Sequence, residues 1–301
     1  MIAPNRDRVR ERVIVVGFGV KPETLEELKI NLTELEELAV AAGGEVVGST
    51  WQLVVKRQPA TLLGSGKVND IKTMIELTQA NLVVIDHGLS GVQSRNLNET
   101  LKVRVLDRSQ LILDIFAQRA QSYEGKLQVE LAQLLDQLPR MVGAWHGSLS
   151  RLGGGIGTRG PGEKAIELDR RQVQKRTDIL KERLEKVRTD REQHRQARRK
   201  NNIPSFALIG YTNSGKSSLL NALTGSDVLS KDQVFATLDP TTRKIHLGGP
   251  QAVITDTVGF IHKLPPLLID AFKSTLAESG DADVLLHVID QASWSSNDDM
   301  R

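Results

Sequence analysis

Cysteine is absent from all 301 residues. Disulfides and Cys-ligated zinc are therefore excluded, which fits a reducing compartment. A long apolar run is missing too. Behind Arg6, Arg8, Arg10 and Arg12, the stretch Val13–Val20 is too short to cross a bilayer and is broken by Gly17 and Gly19. Neither a signal peptide nor a transmembrane helix is expected. What is present, 39% hydrophobic residues at a mean hydropathy of −0.26, describes a soluble globular protein long enough for two or three domains.

Charge is unevenly placed. The chain carries a net +3, yet Arg140–Lys200 holds 17 Lys/Arg against 8 Asp/Glu, and the remainder is about −6. That asymmetry points to a polyanion partner for the middle of the protein.

From residue 12 to 108 two periods alternate. Val13–Val16, Leu82–Ile85 and Val103–Leu106 read as buried strands, and Glu45–Arg57 is rich in β-formers. Leu25, Leu28, Leu32, Leu35 and Leu38 recur at helical spacing between Pro22 and Gly43. Val68, Ile71, Met74, Ile75 and Leu77 mark a second helix and Ser94–Leu101 a short third. Strands alternating with helices imply a mostly parallel sheet. Ser109–Leu138 is helical, with Leu127, Leu131, Leu134 and Leu138 on one stripe, and Pro139 is expected to end it. A second long helix, about Ala165–Arg199, repeats Ile166, Val173, Leu180 and Val187 every seven residues, with Leu184 beside them. So thin a seam suits an antiparallel partner, a helical hairpin. Its remaining surface is charged and mostly basic, which reads either as a solvated face or as an RNA-facing one. The run Gly153–Gly162 between the helices carries Arg159 and follows Arg151. It is either a flexible linker or a tip whose backbone approaches phosphates and bases.

The most specific signal is Gly210-Tyr211-Thr212-Asn213-Ser214-Gly215-Lys216-Ser217, a match to G-x-x-x-x-G-K-[ST]. Phe206–Ile209 before it is short and apolar, and Ser217–Leu223 after it reads as a helix, which is the strand–loop–helix context that the motif requires. Its glycines let successive N–H groups converge on an anion, and the helix start adds partial positive charge. Lys216 would reach the β- and γ-phosphates of a nucleoside triphosphate, and the Ser217 hydroxyl would ligate Mg²⁺. Ser218 extends the binding set. A second candidate, Gly64-Ser65-Gly66-Lys67-Val68, fails because Thr61 occupies the first glycine position and Val68 that of the metal-binding hydroxyl. A turn before a helix is the better reading there.

Val253–Gly259 reads as a strand ending in D-x-x-G, Asp256-Thr257-Val258-Gly259. Asp256 would hold Mg²⁺ through water and the Gly259 N–H would sense the γ-phosphate. Between the two motifs, Phe235-Ala236-Thr237-Leu238-Asp239 supplies a switch segment. Thr237 is the chosen third metal-binding hydroxyl, with Thr241 and Thr242 as rivals. Phe260 stands where many GTPases carry a water-orienting glutamine, so intrinsic hydrolysis should be slow. Asn213 occupies the position that in some related GTPases helps to hold a monovalent cation, which makes K⁺ a candidate cofactor. The guanine-reading N-K-x-D should follow Val284–Asp290 by roughly 50 residues and is not found before Arg301. The chain therefore reads as truncated within its nucleotide domain, with an unpaired edge on its last strand.

Arg151–Glu163, Gly210–Ser217, Phe235–Thr241 and Asp256–Ile261 together resemble the HflX family of ribosome-associated GTPases, over essentially the whole chain. The resemblance implies an α/β fold: an N-terminal mostly parallel α/β subdomain (1–108), a long antiparallel helical hairpin with a Gly-rich tip (109–201), and an incomplete P-loop GTPase domain (202–301). It implies GTP as substrate, GDP as product, Mg²⁺ as cofactor and the large ribosomal subunit as partner. The basic hairpin, with Arg151, Arg159, Arg170, Arg171 and Lys175 as candidates, would approach rRNA near the peptidyl transferase centre. The implied role is splitting or rescuing ribosomes stalled under stress, by a monomer that is cytoplasmic and attached to ribosomes or peripherally to membrane. Two alternatives stand beside it: an RNA-binding fragment with impaired nucleotide binding, and an ATP-dependent RNA-remodelling protein. D-x-x-G argues against the latter, since motor ATPases usually carry an acidic pair on that strand.

Overall fold

The computed structural model describes residues 10–149, 161–200, 203–225, 234–235, 241–246, 251–263 and 282–290. They form two compact units. The first comprises Met1–Ile115 and Asp136–Arg171, the second Phe116–Leu135 and Gln172–Arg301. No described helix is long and apolar enough to cross a membrane.

In the first unit the order is β1 (Arg12–Val20), α1 (Leu25–Ala41), β2 (Glu45–Val54), α2 (Ser65–Thr78), β3 (Leu82–Ile85), α3 (Gly91–Leu101) and β4 (Arg104–Asp107), leading into α4 (Arg108–Arg119). The four strands are all parallel in the order β2-β1-β3-β4. β1 is buried from Val13 to Gly19, as expected of a parallel strand covered on both faces. One side is filled by Ile14, Val16, Phe18, Ile71, Val83, Ile85 and Leu97. On α1 the buried positions include Leu28, Leu32, Leu35 and Leu38, four of the five leucines read at helical spacing. Thr24 and Glu27 close a capping box at the start of α1, and Ser90 and Gln93 do so at α3. Gly64 is the N-cap of α2, so that Gly-rich segment is a turn into a helix.

α5 (Tyr123–Leu149) does not stop at Pro139, contrary to the sequence expectation. Proline removes the N–H that would reach the Leu135 carbonyl. The next residue supplies the reason that the helix survives. Arg140 donates to Asp136, to Asp107 Oδ2 at 2.7 Å and to the Leu89 carbonyl at 3.4 Å, tying the helix beyond the proline to the sheet. Asp107 is fully buried, accepts from the Leu89 and Gln110 amides as well, and caps α4.

The second unit contains the residues of α5 up to Leu135 and those of α6 (Pro161–Lys200) from Gln172. Leu127, Leu131 and Leu180 form their shared core, flanked by Leu134, Leu135 and Leu184. Arg176 pairs in bidentate fashion with Glu130 (2.6 and 3.0 Å), and Arg191 pairs with Glu124 at 2.9 Å. Contacts that run up one helix and down the other make the pair antiparallel, which is the expected hairpin. Its sheet comprises β5 (Ser205–Ile209), β6 (Thr241–His246), β7 (Gln251–Asp256) and β8 (Val284–His287), with α7 (Lys216–Thr224) following β5. Among the described residues the order is β6-β7-β5-β8, with β6 antiparallel to β7 and the other pairs parallel. Leu208, Leu220, Ile245, Ala252 and Ile254 form its core. β8 lies at the edge among the described strands, with Val284 and Leu285 exposed.

Asp107→Ala should lower unfolding free energy by about 3–5 kcal/mol, because it strands a partly buried guanidinium and removes a helix cap. Breaking the exposed Lys186–Glu182 pair with Glu182→Ala should change stability little. Denaturant titration of both variants checks the contrast.

Candidate functional site

The phosphate loop leaves the carboxyl end of β5, the strand between β7 and β8. Gly210 is required by close approach: a Cβ there would lie 2.3 Å from the Val288 carbonyl oxygen. Gly215 is the N-cap of α7 at φ +90° and brings no capping side chain, so the helix start faces the loop through its main chain. Lys216 is buried, and its ammonium donates to the carbonyls of Gly210, at 3.0 Å, and Tyr211. Burial pushes it down from 10.5 to about 8, with the Asp256 charge opposing. Ser214 Oγ is buried with no hydrogen-bond partner among the described residues.

Ser217 Oγ donates to Asp256 Oδ2 at 2.6 Å. β5 and β7 run parallel with Leu208 beside Asp256, and the Thr257 hydroxyl donates to the Leu208 carbonyl at 2.6 Å. The sheet register thus carries the carboxylate to the first turn of α7. The D-x-x-G loop is clasped to the phosphate loop by main chain. Phe260 N donates to the Gly210 carbonyl at 3.0 Å, and Thr212 N to the Phe260 carbonyl at 2.8 Å. A Cβ on Gly259 would sit 2.7 Å from Thr212 Cα, so only glycine admits this contact. The rings of Tyr211 and His262 stack at 5.1 Å. Asn213 is exposed at φ +64°, a conformation asparagine tolerates.

A hydroxyl and a carboxylate in contact, backed by a helix start with no capping side chain and by the buried Ser214 hydroxyl, suit a triphosphate with Mg²⁺. Both donors are hard oxygens, and Mg²⁺ takes only one or two from protein beside phosphate and water. No group of three or more His, Cys, Asp or Glu that could hold a metal by itself occurs among the described residues.

Other expected residues fall elsewhere. Ala236, Thr237, Leu238 and Asp239, and with them Arg151 and Arg159, lie outside the described residues. Phe235 is described and its ring is buried edge-on against Phe116, with centroids at 4.7 Å. Thr241 and Thr242 sit in β6, Thr241 opposite Asp256, and the Thr242 hydroxyl bonds that of Thr255 at 2.9 Å. Val258 is buried beside Thr257. Ser218 is exposed on α7. On α6, Arg170, Arg171 and Lys175 are exposed, and Arg171 is paired with Glu167. Sequence reading treated Phe260 as a side chain where the structure uses its main chain.

A lysine whose folded value lies below its unfolded one binds fewer protons when folded, so its contribution to stability rises with pH between the two. Relative to Lys216→Met, the nucleotide-free protein should gain stability from about pH 8 to 10.5. Denaturant midpoints of both proteins across that window check this, and a flat difference would contradict the burial of the amine.

Three families match the chain in tandem: GTP-binding GTPase N-terminal over residues 29–117, GTP-binding GTPase Middle Region over 119–198, and 50S ribosome-binding GTPase over 205–300. The GTPase HflX of Caldanaerobacter subterraneus subsp. tengcongensis is 53% identical over 287 residues, 95% of this chain and 66% of that protein. The GTPase HflX of Alkalihalophilus pseudofirmus is 51% identical over 286 residues, 95% of this chain and 67% of that protein. This chain thus spans about two thirds of the length of the curated relatives it matches. Among solved structures, the GDP complex of SsGBP is similar at a TM-score of 0.53 and 28% identity, covering 92% of this chain and 72% of that one. With its tandem match and such identity along nearly its whole length, the chain belongs to the HflX family of GTPases.

Proposed function

We propose that the protein binds and hydrolyses GTP, associates with the large ribosomal subunit, and splits or rescues ribosomes stalled under stress. The observation that carries this reading is the clasp in which Lys216, Ser217 and Asp256 converge beneath a main-chain bond between the phosphate loop and the D-x-x-G loop. Relatives named as GTPases and the ribosome-binding description of the match over 205–300 support it.

Each residue has a task. The N–H groups around Gly215 and the first turn of α7 receive the phosphate oxygens, and the Lys216 ammonium exchanges loop carbonyls for phosphate. Ser217 and Asp256 would hold Mg²⁺, Asp256 through water, and Thr237 would complete the set in the triphosphate form. Held there, Mg²⁺ would supply positive charge against the triphosphate. Gly259 reports the γ-phosphate through its N–H, and Phe260, which offers no side-chain hydrogen bond, leaves the attacking water unoriented. The hydrolytic site is completed by rRNA. Exposed Arg170 and Lys175 on the basic face of α6, with Arg151 and Arg159 at the tip, approach rRNA near the peptidyl transferase centre. The protein acts as a monomer in the cytoplasm.

GTP turnover by the protein at its natural length should rise by about 10²–10³-fold with large subunits, the scale of one added transition-state donor. A turnover assay with and without subunits checks this, and no stimulation overturns the reading. In the same assay K⁺ should exceed Na⁺ through Asn213, and equal rates remove potassium from the account.

A further inference from the structure

The D-x-x-G loop is fastened to the phosphate loop and the helix behind it at three points. Going outward from β7, the first is Asp256, which accepts from the Ser217 hydroxyl at 2.6 Å. The second is Phe260, whose amide and carbonyl bridge Gly210 and Thr212. The third is His262. Its imidazole lies over the Tyr211 ring with centroids at 5.1 Å and planes 26° apart, a stacked pair within the span at which aromatic rings attract. Ile261, between the second point and the third, is buried, and the chain turns at His262 and Lys263, the latter at φ +52°. Gly259 lies between the first point and the second, packed so closely on Thr212 that a Cβ would sit 2.7 Å from the Thr212 Cα. A peptide held on both sides has little freedom to turn its N–H. All these groups belong to the second compact unit. The His262 side chain is exposed, so its ring fills no core; what it covers is Tyr211, a residue of the phosphate loop itself.

We propose that His262, through its stack on Tyr211, is a positioning residue of the nucleotide site, holding the D-x-x-G loop so that the Gly259 N–H meets a γ-phosphate at a smaller ordering cost. This rests on the reading of Gly259 given above. His262 acts on the phosphate only through the loop. GDP has no γ-phosphate and makes no demand on that N–H, so the stack favours the triphosphate over the diphosphate. The contact needs a flat ring and no titrating nitrogen, which separates positioning from proton transfer.

The test uses the protein at its natural length, with a non-hydrolysable GTP analogue and GDP titrated in Mg²⁺. His262→Ala should weaken the analogue about 3–10-fold, inside the span that one aromatic pair is worth, and leave GDP affinity unchanged. His262→Phe, which keeps a ring and loses both nitrogens, should restore the analogue. Combining His262→Ala with Tyr211→Ala should weaken the analogue no more than Tyr211→Ala alone, because the two rings act as a pair. The exposure of His262 lets its variants fold. Equal loss for both nucleotides, additive losses in the double variant, or a His262→Phe that behaves like His262→Ala would each reduce the stack to packing or to another chemistry and overturn the proposal. Gly259→Ala separates the proposal from the reading beneath it, since its Cβ must push the loop off Thr212. A changed analogue-to-GDP ratio in Gly259→Ala beside an unchanged one in His262→Ala overturns the proposal and spares the role of Gly259. An unchanged ratio in Gly259→Ala overturns that role and the proposal with it.

Discussion

The hydrogen bond from Ser217 to Asp256 joins the first turn of α7 to the end of β7, and the nucleotide end of the second unit is arranged around it. Sheet register brings Asp256 to the end of β5 from which the loop to α7 departs. Leu208 and Asp256 are partners across β5 and β7, and the Thr257 hydroxyl ties the chain just past Asp256 back to the Leu208 carbonyl. Part of the cost of burying the Asp256 carboxylate is met by the Ser217 hydroxyl and by the charge of the nearby Lys216 ammonium, itself stripped of water. Charges kept dry and close respond strongly to a new anion, because there is little water to rearrange.

The helical hairpin is organised on the opposite principle. Of the seam residues read at seven-residue spacing, only Leu180 is fully buried, and Val173 and Val187 are half-buried. The side chain of Ile166 lies outside the described residues. A 40-residue helix with so narrow a seam leans on ion pairs for its register, Arg176 to Glu130 and Arg191 to Glu124. Part of the positive excess counted between Arg140 and Lys200 is thus engaged inside the protein. Arg140 is also so engaged, with Asp107 and Asp136. The charge available to a polyanion is smaller than composition suggests, and it falls on residues such as Arg170 and Lys175.

The phosphate loop was legible because its information is local. Glycine spacing, an apolar strand before it and a helix after it are all adjacent in sequence. The parallel sheet was legible for a similar reason, since β1 and β3 are apolar runs and β2 is rich in β-formers, with helical patterns between them. Pro139 was misjudged because a local rule met a tertiary contact. The proline does cost its helix a hydrogen bond, but Arg140 beyond it is anchored on Asp107, 33 positions away. Phe235 shows the same limit from the other side. Motif wording places it beside the nucleotide, whereas the structure buries its ring on Phe116, 119 positions upstream, and nothing in either segment announces the other.

Phe260 brings these strands of reasoning together. Judged by its side chain, the residue is a defect at a position where a hydrogen-bonding group is expected. Its amide and carbonyl, however, form both bonds of the bridge to Gly210 and Thr212, and its ring is 41% exposed. Main-chain bonds of this kind depend little on the side chain, so the clasp needs no hydrogen-bonding side chain at position 260. On the proposed reading, such a site holds the phosphate end while leaving the attacking water unattended. Bound nucleotide would then persist until a partner surface supplies the missing group.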